Sequence, residues 1–314
     1  MSFIAEPVFL VGAERSGTTL LRLMLRSHSQ LAWCNEFEYS VDLITEERNW
    51  PKLDIYYQWL ETDRIFRATK FKVDRSLDYP QLVNSFLLQK KATEEKPIVG
   101  ATVHRHFDRL LRIWPNAKFI HIVRDGRDVA RSCIGMGWAG NVWTGVERWI
   151  EVENLWTEVK DILPEAQKIE ITYSSLIADT ENTLRQLCNF IGVAFEPEML
   201  EYYKTSSYDL PDPKLLNQWT TKLSNKEIQL VESRISEMLV DRNYKLSGLG
   251  TIGVNWQHQI ILRTHCWWKR LQFRIKQLGI SLFIADYLAR KLRINFWQKN
   301  TKLKINAIIQ SQLK

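Results

Sequence analysis

The segment Val8-Phe9-Leu10-Val11-Gly12-Ala13-Glu14-Arg15-Ser16-Gly17-Thr18-Thr19-Leu20-Leu21 is apolar at first, stops at a turn bounded by two glycines, and restarts as a helix. Gly12 and Gly17 have the interval of a phosphate-binding P-loop, and Thr18-Thr19 stand where that motif places its Lys and Ser/Thr. The lysine is missing. A loop of this shape still aims successive backbone N–H groups and a helix N-terminus at one point, which makes it an anion cradle. Without the lysine point charge it lacks the usual means of hydrolysing a nucleoside triphosphate. Arg15, inside the loop, supplies instead a planar, permanently charged fork suited to bidentate contact with oxyanions. The expected ligand is therefore an anion other than a plain nucleoside triphosphate.

A second segment, Lys118-Phe119-Ile120-His121-Ile122-Val123-Arg124-Asp125-Gly126-Arg127-Asp128-Val129-Ala130-Arg131-Ser132, again reads as strand, polar turn, helix. Arg124 closes the strand, and Ser132 follows eight residues later, where its hydroxyl is expected to share an anion with the guanidinium. Taken together, the two segments resemble the sulfotransferase family that uses 3′-phosphoadenosine 5′-phosphosulfate (PAPS), and the resemblance runs from about Pro7 to Gly250. It implies that the loop, through Arg15 and the N–H groups of Ser16, Gly17, Thr18 and Thr19, holds the 5′-phosphosulfate. Arg124 and Ser132 would hold the 3′-phosphate. The implied reaction is sulfuryl transfer from PAPS to an acceptor hydroxyl or amine, releasing adenosine 3′,5′-bisphosphate, with no metal.

The resemblance also proposes a base. An ungapped match to tyrosylprotein-type and related bacterial sulfotransferases places their glutamate at Glu36 in Trp33-Cys34-Asn35-Glu36-Phe37-Glu38. If the segment is extended, Glu36 and Glu38 share a face, and one semi-buried carboxylate suffices. The chain departs from the family at Ile98-Val99-Gly100-Ala101-Thr102-Val103-His104-Arg105-His106, where the usual supporting lysine is absent. His104 or Arg105 would substitute, and His104 is the second candidate for proton abstraction. Tyr173 in Ile171-Thr172-Tyr173-Ser174 resembles a strand-end tyrosine of the nucleotide site, although Ser174 stands where Glu is usual. Lys222, in the Trp219-bearing segment 217–224, resembles the part that closes over the nucleotide. Arg127 and Asp128 are read as fixing the turn after Arg124.

Apolar runs at 8–12, 97–101, 118–123 and 167–172 suit buried parallel strands, with helix-period segments near 17–28, 38–49, 53–62, 80–92, 104–114 and 126–163 between them. This is an α/β pattern, a P-loop-like doubly wound parallel sheet flanked by helices. A helix is expected between Asp179 and Gly192, and Ser224-Asn225-Lys226-Glu227 spells a capping box. Domain 1–254 would carry the chemistry and 255–314 a basic helical extension. Aromatic-rich 50–79 suits acceptor recognition or an irregular connection with core aromatics.

The formal charge of +7 is unevenly distributed, because residues 255–314 hold twelve lysines and arginines against one acid, Asp286. Trp267, Trp268, Leu271, Ile275 and Leu278 follow helical spacing there, while Arg270, Arg274 and Gln277 share another face. One reading is an interfacial helix in peripheral contact with anionic lipid. The other, the commoner use of such a stripe, packs it on the catalytic domain and exposes the charge. No nucleic-acid reader motif accompanies the charge. Cys34, Cys133, Cys188 and Cys266 lack metal-ligand spacing and read as reduced, packed thiols. Residues 1–7 show no basic n-region and no apolar run of signal or anchor length, so a cytoplasmic location is expected. The acceptor class stays open among small molecules, carbohydrate, peptide and lipid, as does the oligomeric state. Two other functions compete: a P-loop kinase or NTPase with a degenerate loop, and a catalytically dead membrane- or polyanion-binding module.

Overall fold

A computed structural model describes residues 3–312. In chain order the regular elements are strand β1 (Val8–Val11), helix α1 (Thr18–Arg26), β2 (Leu31–Glu36), α2 (Leu53–Leu60), α3 (Arg64–Thr69), α4 (Tyr79–Glu94), β3 (Ile98–Val103), β4 (Lys118–Val123), α5 (Gly126–Gly135), α6 (Val142–Gly145), α7 (Glu147–Ile162), β5 (Lys168–Thr172), α8 (Tyr173–Ala178), α9 (Thr180–Ile191), α10 (Trp219–Lys222), α11 (Asn225–Asp241), α12 (Trp256–Leu278), α13 (Ile280–Lys291) and α14 (Asn295–Gln312). Short 3-10 turns cover Glu38–Ser40 and Phe107–Arg112, where longer helices are expected from the sequence. The chain divides into two compact units. The first comprises Met1–Leu60, Ile65–Asp125 and Arg148–Asn217; the second comprises Glu61–Arg64, Gly126–Glu147 and Gln218–Lys314.

The first unit holds the whole sheet, five parallel strands in the order β2-β3-β1-β4-β5. Strands buried on both faces need apolar side chains at every position, which is why β1 reads Val-Phe-Leu-Val without alternation. Successive residues still point to opposite faces. Val8 and Leu10 pack with Leu21, Met24 and Leu25 of α1 and with Leu184 and Leu187 of α9. On the other face, Phe9 meets Trp114 at 5.4 Å and Phe119 at 5.8 Å between ring centroids. His121, on the same face, stacks on Trp156 of α7 at 4.5 Å between ring centroids, so helices cover both faces of the sheet, as a doubly wound fold requires. β2 is a strand that the apolar runs alone do not mark. It pairs with β3 through a register shift between Cys34 and Glu36, and Trp33 donates through its indole to Thr102 Oγ1 at 3.1 Å.

The local stop and start signals have clear physical counterparts. Ser224 accepts from the Glu227 N–H while Glu227 accepts from the Ser224 N–H, closing both halves of the capping box at the head of α11. Gly192 ends α9 with φ +97°. The expected helix over 126–163 is three helices, because Asn141 caps α6 from an extended conformation, accepting from the Thr144 N–H at 3.0 Å. The four cysteines are buried free thiols.

Within the second unit, α12 is joined to the α5–α6 connection. The Gly140 N–H donates to Cys266 Sγ, Asn141 donates to the Leu262 carbonyl, and the ring of Phe273 occupies the space a side chain at Gly137 would need. The apolar stripe of α12 is divided. Leu278 is buried, whereas Trp267 and Trp268 are more than half exposed. Among the described residues no helix is long and apolar enough to cross a membrane.

Candidate active site

Within the first unit, the strand ends gather the candidate residues. Gly12 follows β1, Glu36 ends β2, His104 follows β3, Arg124 follows β4 and Tyr173 follows β5. All five strands run the same way, so these positions lie at one edge of the sheet. The chain leaves β1 toward β2 and β3 on one side and crosses to β4 on the other, and such a reversal opens a crevice at the carboxyl ends of the strands.

The loop after β1 is wound tightly. Gly12, Arg15 and Gly17 all have positive φ, at +153°, +74° and +98°, and the Ser16 N–H donates back to the Ala13 carbonyl at 3.1 Å. A non-glycine residue at φ +74° carries backbone strain of the kind that collects at ligand clamps. Both glycines are required. A Cβ on Gly12 would stand 2.5 Å from the Ile122 carbonyl oxygen, and one on Gly17 would stand 2.4 Å from the Tyr173 ring. Gly17 is the N-cap of α1 and offers no side chain, so the first-turn N–H groups of that helix have no side-chain cap. The Ser16 hydroxyl is fully buried and has no hydrogen-bond partner. An orphaned buried hydroxyl beside uncapped helical N–H groups and an arginine fits the oxygens of a bound phosphate or sulfate. Glu14, the acid in this loop, is held by Arg148.

Arg124 joins the loop to the far side of the sheet. Its guanidinium donates to the Arg15 carbonyl at 3.1 Å and to the Leu215 carbonyl at 2.8 Å, and lies 4.4 Å from the centre of the Tyr173 ring. Its own carbonyl accepts from the Trp149 indole at 2.8 Å. Tyr173 begins α8, with Thr172 as N-cap, and its ring is buried between Gly17 and Arg124.

The carboxylates separate in environment. β2 ends at Glu36 and the chain turns at Phe37, so Glu36 is half-buried while Glu38, starting a 3-10 turn, is 2% exposed. The extended arrangement that would give both carboxylates one face is not formed. Glu38 Oε1 accepts from the His104 N–H at 3.0 Å, and its Oε2 is buried without a hydrogen-bond partner. Burial pushes the Glu38 carboxyl above the usual range; neighbouring Glu36 adds to the rise, and His104 and Arg105 oppose it. His104 itself is buried, with Nδ1 2.9 Å from the Gly12 carbonyl. A carbonyl only accepts, so Nδ1 carries the proton and, in the neutral ring, Nε2 keeps its lone pair. Arg105, the other substitute for the missing lysine, donates through Nε and Nη2 to the two carboxylate oxygens of Asp42 at 2.7 and 2.6 Å.

Arg22, one turn into α1, is a member of this group that the motif reading misses. Burial lowers its pKa and the charge of Glu36 opposes that, and its Nε is buried without a hydrogen-bond partner. The signal was present in helical spacing, since Arg22 lies four residues beyond Thr18 and shares its face.

Ser132 and Lys222 belong to the second unit, on α5 and α10 respectively. There Ser132 is half-buried and Lys222 exposed. Arg127 is buried against Glu232 and stacks 3.6 Å from the Trp219 ring, and Asp128 accepts from the Trp219 N–H at 2.8 Å. These two residues therefore fasten α5 to α10 and α11.

Residues 7–197 match the model of the Sulfotransferase family. Among curated relatives, an uncharacterized protein of Aquifex aeolicus is 27% identical over 64% of this chain and 27% of its own. Protein-tyrosine sulfotransferase 2 of Gallus gallus is 24% identical over 62% of this chain and 53% of its own, so the chain spans about half or less of these two relatives. The omega-hydroxy-beta-dihydromenaquinone-9 sulfotransferase of Mycobacterium bovis is 32% identical over 65% of this chain and 70% of its own. Among solved structures, the sulfotransferase domain of the curacin biosynthetic pathway superposes with a TM-score of 0.53 at 21% identity, covering 78% of this chain and all of that one. The sulfotransferase domain of the Synechococcus PCC 7002 olefin synthase gives 0.51 at 18%, covering 74% and 98%. Those two share the fold, a P-loop-like parallel sheet, and with the matched family model they place the strained loop in context: this chain belongs to the Sulfotransferase family.

Proposed function

We propose that this chain transfers a sulfuryl group from PAPS to an acceptor hydroxyl or amine and releases adenosine 3′,5′-bisphosphate. The observation that carries the reading is the convergence of Arg15, Glu36, His104 and Arg124 at the carboxyl edge of one parallel sheet, around a loop whose serine hydroxyl is buried and unpartnered. The donor supplies an activated sulfur with a phosphate leaving group. Arg15 and the N–H groups of Ser16, Gly17, Thr18 and Thr19 stabilise the charge that grows on the leaving oxygen, a preorganised electrostatic contribution. Arg124 binds the 3′-phosphate, and Tyr173 backs the loop.

Glu36 takes the acceptor's proton as the acceptor oxygen or nitrogen attacks sulfur in line with the departing phosphate. Glu36 is half-buried, whereas Glu38 is buried and its carboxyl holds its proton to higher pH. His104 Nε2 is the second candidate. General-base removal costs about 10²–10⁴-fold in rate. Glu36→Gln should therefore lose turnover on that scale while adenosine 3′,5′-bisphosphate affinity is unchanged; if His104→Gln does so and Glu36→Gln does not, the base is His104. Radiolabelled PAPS given to the enzyme with lysate separated into lipid, protein and polysaccharide fractions identifies the acceptor. Undiminished turnover in Arg15→Ala, or magnesium-dependent ATP binding in place of magnesium-free adenosine 3′,5′-bisphosphate binding, overturns the assignment.

A further inference from the structure

The proposed reaction uses nothing from α12, yet this 23-residue helix carries an organised exposed surface. Its packed side is fixed by Leu262, Cys266 and Phe273, which face the α5–α6 connection of the same unit. At 100° per residue, Trp256, Ile260 and Trp267 fall within about 40° of one another on a different side of the helix. Ile261 and Trp268, seven apart, form a second line beside them. All five are more than half exposed, from 51% at Trp268 to 69% at Trp256. Exposed tryptophans cost solvation free energy that a soluble helix ordinarily avoids.

Cations border this strip on both sides. Arg263 and Arg270 lie along one flank, and Lys269 and Lys276 along the other, by the same helical geometry. Among the described residues none of these four is in an ion pair. The one acid of residues 255–314, Asp286, is buried against Arg274 and Arg290 and so neutralises none of them. Five arginines and lysines within α12 exclude a spanning helix. They suit one lying in the plane of an interface, with indole rings at headgroup depth and long cationic side chains reaching the phosphates.

We propose that the exposed Trp256–Trp268 face of α12 docks this protein on an anionic phospholipid surface. The charge decides between occupants. A second copy using the same patch would bring arginine and lysine flanks against their own kind, whereas a bilayer bearing anionic headgroups meets them with opposite charge. This inference is independent of the sulfuryl-transfer reading, because it concerns where the chain sits and not what it catalyses.

The test uses the full chain and vesicles of phosphatidylcholine alone or with about one third phosphatidylglycerol, scored by sedimentation and by tryptophan fluorescence. Wild type should pellet with the anionic vesicles and show a blue-shifted emission, and should stay in the supernatant with the neutral ones. Raising salt to shorten the Debye length to about 3 Å should release it. Trp267→Ser/Trp268→Ser and, separately, Arg263→Gln/Arg270→Gln should each weaken partitioning at least about tenfold. Both variants should keep the wild-type melting temperature, since their side chains are exposed. Failure of wild type to bind anionic vesicles, equal binding to both vesicle types, or binding unchanged in both variants overturns the proposal. So does a stable dimer in light scattering whose dissociation follows the tryptophan substitutions.

Discussion

Substituting Gly17 by alanine tests whether the loop and Arg124 are mechanically one unit. The residue sits at φ +98°, where a Cβ is strained, and the added atom would fall 2.4 Å from Cδ2 and 2.8 Å from Cε2 of Tyr173. Left-handed strain in a non-glycine residue costs about 1–3 kcal/mol. Overpacking of a methyl group against a ring adds about 1–3 kcal/mol. Tyr173 cannot yield without consequence, because its other neighbour is the Arg124 guanidinium at 4.4 Å, a contact worth roughly 0.5–2 kcal/mol. The expected loss for Gly17→Ala is therefore about 2–6 kcal/mol, most of it local to the first unit. Thermal unfolding and calorimetric titration with adenosine 3′,5′-bisphosphate should report it together, as a lower transition and weaker binding. A double-mutant cycle separates the two causes. Tyr173→Ala removes the ring and should restore the overpacking part, so the pair is non-additive by about 1–3 kcal/mol. Tyr173→Phe keeps both clashing ring atoms and should restore nothing. Additive losses in Gly17→Ala/Tyr173→Ala, or a Gly17→Ala chain that melts and binds as wild type, refute the argument. Gly12→Ala is the internal comparison: its clash at 2.5 Å is with the Ile122 main-chain oxygen, which no side-chain truncation can relieve.

Three other outcomes follow from the same contacts. Glu38→Gln replaces a carboxyl that burial pushes upward, so in wild type the stability tied to it is full below the unfolded carboxylate range and is lost as pH rises through the folded value. Melting curves should thus show the stability of the variant relative to wild type rising as pH climbs above the ordinary carboxylate range, and a relative stability that falls there contradicts the assignment. Arg127→Met leaves Glu232 charged, 2% exposed and without its ion partner, which should cost about 3–5 kcal/mol. Hydrogen exchange along α11 should accelerate accordingly, and unchanged protection there would show the pair to be dispensable. Loss of turnover in Glu36→Gln with nucleotide binding retained, about 10²–10⁴-fold, is read from steady-state rates against titrations.

Much of the first unit was legible because its signals are local. A P-loop interval, apolar runs of strand length and a capping box each need only neighbouring residues to be recognised, and β1, β3, β4, β5, α1, α9 and α11 lie where those signals point. β2 was less visible. Leu31-Ala32-Trp33-Cys34-Asn35-Glu36 becomes a strand by pairing with β3, more than sixty residues later, through a shifted register. Propensity contains no record of that partner. The helices expected at 38–49 and 104–114 shrink to 3-10 turns for a related reason. Ser40 and Val41 turn back to the Phe37 and Glu38 carbonyls, and Arg109 donates to the Val41 and Ile44 carbonyls. The Tyr56 and Tyr79 hydroxyls also donate to the Tyr39 and Ser40 carbonyls, so in both segments a tertiary contact outweighs the helical period. At the site, Arg15, Glu36, His104 and Arg124 were found from motif position. Glu38 was paired with Glu36 by spacing alone, and only its burial separates the two; Arg22 is legible only from its surroundings.

That difference bears on how the two glutamates divide their work. Spacing makes them equivalent, because positions two apart in a strand share a face. Folding makes them unequal, since the strand stops at Glu36 and the next residues coil inward. On the proposed reading, the partly accessible Glu36 takes the acceptor's proton. Glu38, carried inside, is held by the His104 backbone N–H and has an oxygen with no partner, so ionising it is costly. A proton kept on Glu38 also avoids a second negative charge next to Glu36, whose own charge adds to the rise of the Glu38 carboxyl. Glu38→Gln removes that buried proton and leaves Glu36 in place. The pH–rate profile of Glu38→Gln is then expected to keep its acidic limb and lose any shoulder that wild type shows at higher pH. A profile whose acidic limb disappears would assign the proton transfer to Glu38 and reverse the roles argued from burial.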